Sequence, residues 1–368
     1  MKQKLLITTD CFLPRWDGIA RFLSELIPVL AKKYQVTVIA PKFPGKLKRF
    51  TGAKIIRLPL IPIKFGDIHF AHVNSKIIQE AVQKADLIFN QTIGPIGMKT
   101  IKHAHRQNKP IISYVHNIEW ELSSWAIKHF QKLVWHLVRR ITRKHYNKCN
   151  LLIVPSKEVG EILTANKILT QKKAIPIGVD TNKFRPAKSR KQAKKKIQLN
   201  PKNTIIGFSG RIGREKDLPT IINAFEKLKQ KNIKLLIVGT GVELPEAKNM
   251  IKTGSTNHVT KYIQAMDIFA HASLTETNSL STMEAMSTGL PVVVTPVGSI
   301  KNYVNHGQNG MIFSKHDVNK LAFLLTKLIA LPKKREKIGK NARATIIKEH
   351  NWKTTEKNIT KTLKELMP

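Results

Sequence analysis

Short, almost wholly apolar runs alternate along this chain with longer stretches in which apolar residues recur every three or four positions. The runs 5–9, 36–41, 53–58, 86–89, 110–115, 151–155 and 174–177 have the length and composition of buried strands. Between the first two, Ile19, Phe22, Leu23, Leu26, Ile27 and Leu30 fall on one helical face, and 77–82 and 94–105 read as helices too. Strands alternating with helices predict a parallel sheet with helices on both faces. From 180 to 203 the pattern lapses: Lys188, Arg190, Lys191, Lys194, Lys195 and Lys196 crowd a stretch of little apolar content, which reads as a linker. The alternation then resumes, with strands at 204–208, 233–238, 268–270 and 311–313 and helices at 218–228, 259–265, 318–331, 335–349 and 352–366. The expected architecture is α/β: two Rossmann-like, doubly wound domains, 1–180 and 181–351, with a ligand in a cleft at the carboxyl ends of both sheets.

The most informative break in the pattern is 275–291, Thr-Glu-Thr-Asn-Ser-Leu-Ser-Thr-Met-Glu-Ala-Met-Ser-Thr-Gly-Leu-Pro, lying between the apolar runs 267–273 and 291–294. It predicts a strand, a polar elbow, a short helix beginning within 278–281 and stopping at Gly289, and a second strand. Ser279, Leu280 and Ser281 with the free amides of that helix N-terminus form an anion cradle. Glu276 stands before the helix and Glu284 inside it, and carboxylates accept hydrogen bonds from sugar hydroxyls. Phosphate and hydroxyls together describe a nucleotide sugar. Glu284 has a local alternative, because Ser281-Thr-Met-Glu284 matches a capping box.

Four further residues bear on the same ligand. Arg211 and Lys216 lie in a strand-to-helix loop, where they either neutralise a diphosphate leaving group or stand solvated. His116 ends the strand at 111–115 and either faces the cleft or caps its loop. Gly18 opens the first helix, and either admits a phosphate to the helix N-terminus or only makes the turn.

Composition narrows the class. Of 368 residues, 64 are Lys or Arg and 24 Asp or Glu, a formal charge of +40, which points to a polyanionic partner or surface or to a lysine-rich source. Two cysteines, Cys11 and Cys149, exclude a disulfide framework and a cysteine-rich metal site and fit a reducing cytosol. No run has the length of a membrane span, and 5–10 is too short for a signal-peptide core. There is no metal-ligand spacing, Walker loop, dinucleotide fingerprint, zinc finger or RNA-binding signature, so no metal, no cofactor and no nucleic-acid partner are expected. The charge concentrates at 122–148, where Lys128, Lys132, Arg139, Arg140, Arg143, Lys144 and Lys148 occur without an acid. They interleave with Trp125, Trp135 and a helical stripe of Ile127, Phe130, Val134, Leu137, Val138 and Ile141. A basic amphipathic helix with Trp suits an anionic membrane interface; the alternative is a helix that packs its stripe on the sheet and shows water a basic face.

In this order the pieces resemble a family. Asp10-Cys-Phe-Leu-Pro-Arg-Trp-Asp-Gly18, Tyr114-Val-His116, Val154-Pro-Ser156, Ile175-Pro-Ile-Gly-Val-Asp180, Gly210-Arg211 with Lys216, and the Glu276-x7-Glu284 stretch are similar to the GT-B retaining glycosyltransferases of group 1, the family 4-like enzymes. The resemblance implies a metal-independent hexosyl transfer from a nucleotide sugar with retained configuration, and a last helix, 352–368, crossing back to the first domain. It assigns the diphosphate to Arg211, Lys216 and the amides near Leu280 and Ser281, the ribose to Glu284, the donor sugar to Glu276, its 6-hydroxyl region to His116, and close phosphate approach to Gly18. Three departures stand out: Ser279 replaces a usual Gly, Gly298-Ser-Ile-Lys-Asn302 lacks a usual Glu, and 241–259 is short. The expected protein is a peripheral enzyme at the cytoplasmic membrane face that glycosylates a lipid-linked or glycolipid acceptor. The competing expectations are a polysaccharide or soluble acceptor, a nucleotide-sugar epimerase, and an inactive polyanion-binding scaffold.

Overall fold

A computed structural model describes residues 2–15, 17–46, 49–65, 68–125 and 129–368. The chain forms two compact units, Met1–Pro176 with Glu356–Pro368, and Ile177–Thr355.

In chain order the first unit runs β1 (Lys4–Thr8), α1 (Gly18–Lys33), β2 (Gln35–Pro41), β3 (Ala53–Leu58), β4 (Leu60–Phe65), β5 (Ile68–Ala71), α2 (Ser75–Lys84), β6 (Leu87–Asn90), α3 (Pro95–Arg106) and β7 (Ile111–Tyr114). It continues with α4 (Glu119–Trp125), α5 (Gln131–Tyr146), β8 (Leu151–Val154), α6 (Lys157–Ala165) and β9 (Lys172–Ala174). Among the described residues its main sheet has the order β3-β2-β1-β6-β7-β8-β9, every pairing parallel. The central strands are buried on both faces, which is why they read as unbroken apolar runs. The β4–β5 hairpin is antiparallel and has no counterpart in the predicted elements. The strand expected at 174–177 lies earlier, at β9, because Pro176 has no amide to give to a ladder.

The stretch 122–148 is not one helix. Phe130 adopts the left-handed conformation, φ 59°, between α4 and α5, and so starts a new helix rather than continuing the old.

The second unit holds α7 (Arg190–Lys196), β10 (Thr204–Ser209), a 3-10 turn at Arg214–Lys216, α8 (Leu218–Glu226), β11 (Ile233–Val238), β12 (Met250–Lys252), α9 (Val259–Ala265), β13 (Ile268–His271) and α10 (Leu280–Ser287). Then come β14 (Val292–Val294), α11 (Ile300–Tyr303), β15 (Met311–Ile312), α12 (Val318–Ala330), α13 (Pro332–Glu349) and α14 (Trp352–Leu366), which belongs to the first unit from Glu356 onward. Its sheet is parallel throughout, in the order β12-β11-β10-β13-β14-β15. The linker expected at 180–203 is instead part of this unit. Ser189 caps α7, and the buried Lys194 places Nζ 2.7 Å from Asp267 Oδ2 and 2.6 Å from the Asn203 carbonyl. Burying an ammonium requires such a pair, and counting charges cannot reveal it.

Candidate active site

In a doubly wound sheet the chain leaves two neighbouring strands in opposite directions at one point, opening a crevice at their carboxyl ends. In the second unit that point lies between β10 and β13, which pair at Ile206–Ile268 and Gly207–Phe269. The loops that follow these strands contain Arg211 and Lys216 on one side and Glu276 on the other. The structure brings them together. Lys216 Nζ forms an ion pair with Glu276 Oε1, which also accepts from Ser273 Oγ at 3.1 Å. Arg211 pairs with Glu215, a nearly inaccessible carboxylate at 2% exposure. The Glu215 carbonyl accepts from the Leu274 amide at 2.7 Å, tying one loop to the other, and lies 3.2 Å from Ser273 Oγ, whose one proton it shares with Glu276.

The two cations expected to stand ready for a diphosphate are therefore each matched by a carboxylate. Glu215 was not among the expected site residues, since its position in a charged loop gives no hint of burial. Burial alone would raise the Glu276 pKa, but the Lys216 ammonium and the nearby His271 ring outweigh it and hold the carboxyl well below the usual range.

The polar elbow is held from behind. Gly298, at φ +55°, passes so close that a Cβ would sit 1.9 Å from the Glu276 carbonyl oxygen. Ser299 Oγ donates to the Thr277 carbonyl at 2.6 Å, and Tyr303 Oη to the Asn278 carbonyl at 3.2 Å. Ser279 then takes a left-handed conformation, φ 43° and ψ 72°, to begin α10. Glycine is favoured at such a φ for want of a Cβ; Ser279 instead bonds Oγ to Thr282 Oγ1 at 2.8 Å.

Ser279 is the N-cap of α10, and its side chain does not cap. The Thr282 and Met283 amides reach the Ser279 carbonyl at 3.1 and 3.2 Å, while the Leu280 and Ser281 amides have no acceptor among the described residues. The capping box does not form: Ser281 lies inside the helix, and Glu284 is its fifth residue, buried at 4% exposure. Local capping thus does not account for Glu284. Its carbonyl accepts from Thr288 Oγ1 at 2.8 Å in the last turn.

The first unit has a switch point between β1 and β6, and there the helix N-terminus is filled from within. Asp10 accepts from Thr92 Oγ1 at 2.7 Å and from the Gly94, Ile96 and Gly97 amides at 3.1, 2.9 and 3.2 Å. Gly94 makes this possible, since a Cβ there would lie 2.3 Å from the Asp10 carboxyl carbon. At α1, headed by Gly18, Asp17 accepts from the Ala20 amide at 2.8 Å, placing a carboxylate where a phosphate was one expectation. His116 is buried just past β7, with Nε2 3.0 Å from Gln91 Oε1 and its ring stacked on Tyr114 at 4.5 Å. Burial pulls its pKa to about 3, so the ring is a neutral hydrogen-bonding group and not an acid at neutral pH.

On α5 the core absorbs the expected stripe only in part: Val138 packs on the core of the first unit and Val134 and Ile141 are half-buried, whereas Phe130 and Leu137 are 77 and 54% exposed, as is Leu133 beside the stripe at 65%. Trp135 instead packs edge-on against Trp120 at 6.5 Å, under the Arg139 guanidinium at 4.4 Å, and Arg139 Nη1 also reaches Asn166 Oδ1 at 3.2 Å. Lys132, Arg140, Arg143 and Lys144 are exposed. Lys128 lies outside the described residues, as does Ile127, and Trp125 ends α4. Among the described residues no helix is long and apolar enough to cross a membrane, and no three His, Cys, Asp or Glu side chains gather as a metal site.

Comparison with known proteins covers both units. Residues 16–183 match the sequence model described as Glycosyltransferase Family 4, and 189–345 that of Glycosyl transferases group 1. An alpha-monoglucosyldiacylglycerol synthase of Streptococcus pneumoniae is 27% identical over 347 residues, 88% of this chain and 78% of the relative. The enzyme of that name from Acholeplasma laidlawii is 24% identical over 84% of this chain and 85% of its own length. Among solved structures, HepE of Anabaena in complex with UDP-glucose aligns over 99% of this chain and 100% of its own, with a TM-score of 0.78 at 18% identity. At that identity the likeness speaks for the fold, GT-B.

Proposed function

Because the chain belongs to the glycosyltransferases of group 1 and family 4, we propose that it moves a hexose from a nucleoside-diphosphate sugar to a hydroxyl of a lipid-linked or glycolipid acceptor, with retained configuration. The observation that carries the reading is the constellation at the β10/β13 switch point: Lys216 on Glu276, beside the open amides of Leu280 and Ser281. The diphosphate takes the two amides and draws Lys216 and Arg211 toward it, each leaving or sharing its carboxylate. Once drawn to the bound diphosphate, the two cations are in place as the leaving group gains charge. Glu276 then faces the sugar hydroxyls and Glu284 the ribose, and the acceptor attacks the face from which the diphosphate departs. The second unit is thus the donor domain and the first the acceptor domain, where the resemblance gives His116 its hydrogen-bonding part and Gly18 a phosphate contact that Asp17 opposes.

The lipid acceptor is supported by the names of the diacylglycerol-glycosylating relatives and by α5. Phe130, Leu133 and Leu137 would enter the acyl boundary of the inner leaflet, with Lys132, Arg140, Arg143 and Lys144 at the headgroups. A panel of nucleotide sugars is offered with diacylglycerol or glycolipid in anionic vesicles, and with soluble sugars, scoring released nucleoside diphosphate and the anomer of the product. We expect release that depends on the lipid acceptor, an α-linked product from an α-linked donor, and loss of transfer in Glu276→Ala. Equal turnover without acceptor, or a preference for soluble acceptors in vesicle-free buffer, refutes the proposal.

A further inference from the structure

β13 ends in a histidine where its neighbours in sequence are apolar, and the apolar run 267–273 gave no reason to single it out. His271 is fully buried, at 0% exposure. A buried imidazole needs a partner to offset lost hydration. Its ring lies nearly parallel to Phe208 and Phe269, with centroids at 5.9 and 6.3 Å and both planes within 15°. These rings fix its plane, and Nε2 comes 3.2 Å from Glu276 Oε1. Burial keeps the ring neutral despite the nearby carboxylates of Glu276 and Glu215, with Lys216 acting in the same direction as burial. A neutral ring facing a carboxylate is stable only with the proton on the facing nitrogen.

Oε1 of Glu276 therefore accepts from Lys216 Nζ and Ser273 Oγ, with His271 Nε2 at 3.2 Å but off the line of a formed hydrogen bond, so that both ring nitrogens are buried without a partner. Among the described residues none donates to Oε2. We propose that His271 is a positioning residue for the transfer reaction: when the diphosphate draws Lys216 away, its unpartnered Nε2–H takes up Oε1, 3.2 Å distant, so that Oε2 is presented to the hydroxyls of the donor sugar. Lys216 cannot fill this role alone, because the diphosphate competes for it. When Lys216 turns to phosphate, His271 and Ser273 hold the carboxylate in place. The inference rests on the proposed function of the site.

The test compares His271→Leu, His271→Gln and Glu276→Ala with the unaltered protein by transfer kinetics and thermal unfolding. A carboxylate misplaced by about 1 Å can cost up to about 100-fold in rate. We expect His271→Leu to lose roughly 10- to 100-fold in kcat with the donor KM within about threefold, because the amides and cations still bind phosphate. His271→Gln, which keeps an N–H, should recover at least about tenfold over Leu. The 15N spectrum of histidine-labelled protein, with the resonance assigned by its disappearance in the Gln variant, should show the Nε2–H tautomer. A Leu variant with kcat within about twofold of the unaltered protein, equal losses in Leu and Gln that track their melting temperatures, or an Nδ1–H tautomer overturns the inference. If Glu276→Ala keeps full transfer, the proposed function of the site has failed, and that outcome is separable from failure of His271 alone.

Discussion

Replacing Lys216 by Met leaves the size of the side chain nearly unchanged and removes the charge that Glu276 needs. Truncating one member of a buried ion pair costs about 3–5 kcal/mol. Here the two side chains keep 17 and 11% exposure, Ser273 still donates to Oε1, and His271 Nε2 stays 3.2 Å from it, so about 2 kcal/mol is expected at neutral pH. For a unit of this size that is a fall of about 4–8 °C in Tm. The dependence on pH has a fixed sign. The folded Glu276 carboxyl titrates below its ordinary value of 4.5, so its contribution is full above that value and is lost as pH falls through the folded pKa. Without Lys216, burial dominates and the carboxyl titrates higher. The gap between the two proteins is therefore widest at pH 7 and narrows toward pH 4. Thermal unfolding at pH 7.5, 6, 5 and 4 measures it, and the double variant Lys216→Met/Glu276→Gln should regain about half of the lost stability but none of the transfer. A Met variant that melts within about 1 °C of the unaltered protein at pH 7.5, or a gap that does not change with pH, refutes this account of the pair.

Two glycines give further tests. Gly298→Ala should lower transfer at least about tenfold by pushing the Glu276 carbonyl, with about 1–2 kcal/mol of lost stability from the positive φ alone; kinetics and melting read both. Gly94→Ala should displace the Asp10 carboxylate and cost about 1–3 kcal/mol, while nucleotide binding to the second unit, followed by titration calorimetry, stays unchanged.

Much of the fold was legible because parallel strands buried on both faces write themselves as apolar runs. The helices predicted at 259–265 and 352–366 coincide with α9 and α14 for a related reason, since their periodicity needs no knowledge of what they pack on. The hairpin β4–β5 and the break at Phe130 were not legible, because each depends on tertiary pairing or on one backbone conformation that many residues can adopt under constraint. At the site, Glu276, Lys216 and Arg211 converge through the topology of the sheet, which the order of strands and helices already implied. Glu215 and His271 could not be read, because each is significant only through burial against a group distant in sequence. The capping box at Ser281 was misleading for a physical reason: the motif is local, but the left-handed Ser279 starts the helix two residues earlier.

The two halves of this chain repeat one architecture, yet they treat the same location differently. Where α10 leaves two amides without an acceptor among the described residues, α3 is already occupied by the chain's own Asp10. A phosphate arriving at the first unit would meet a resident carboxylate enclosed by glycine backbone. The consequence for the proposed function is one of stoichiometry: one nucleotide is expected to bind per chain, at the second unit, although both sheets have a switch point of the same kind.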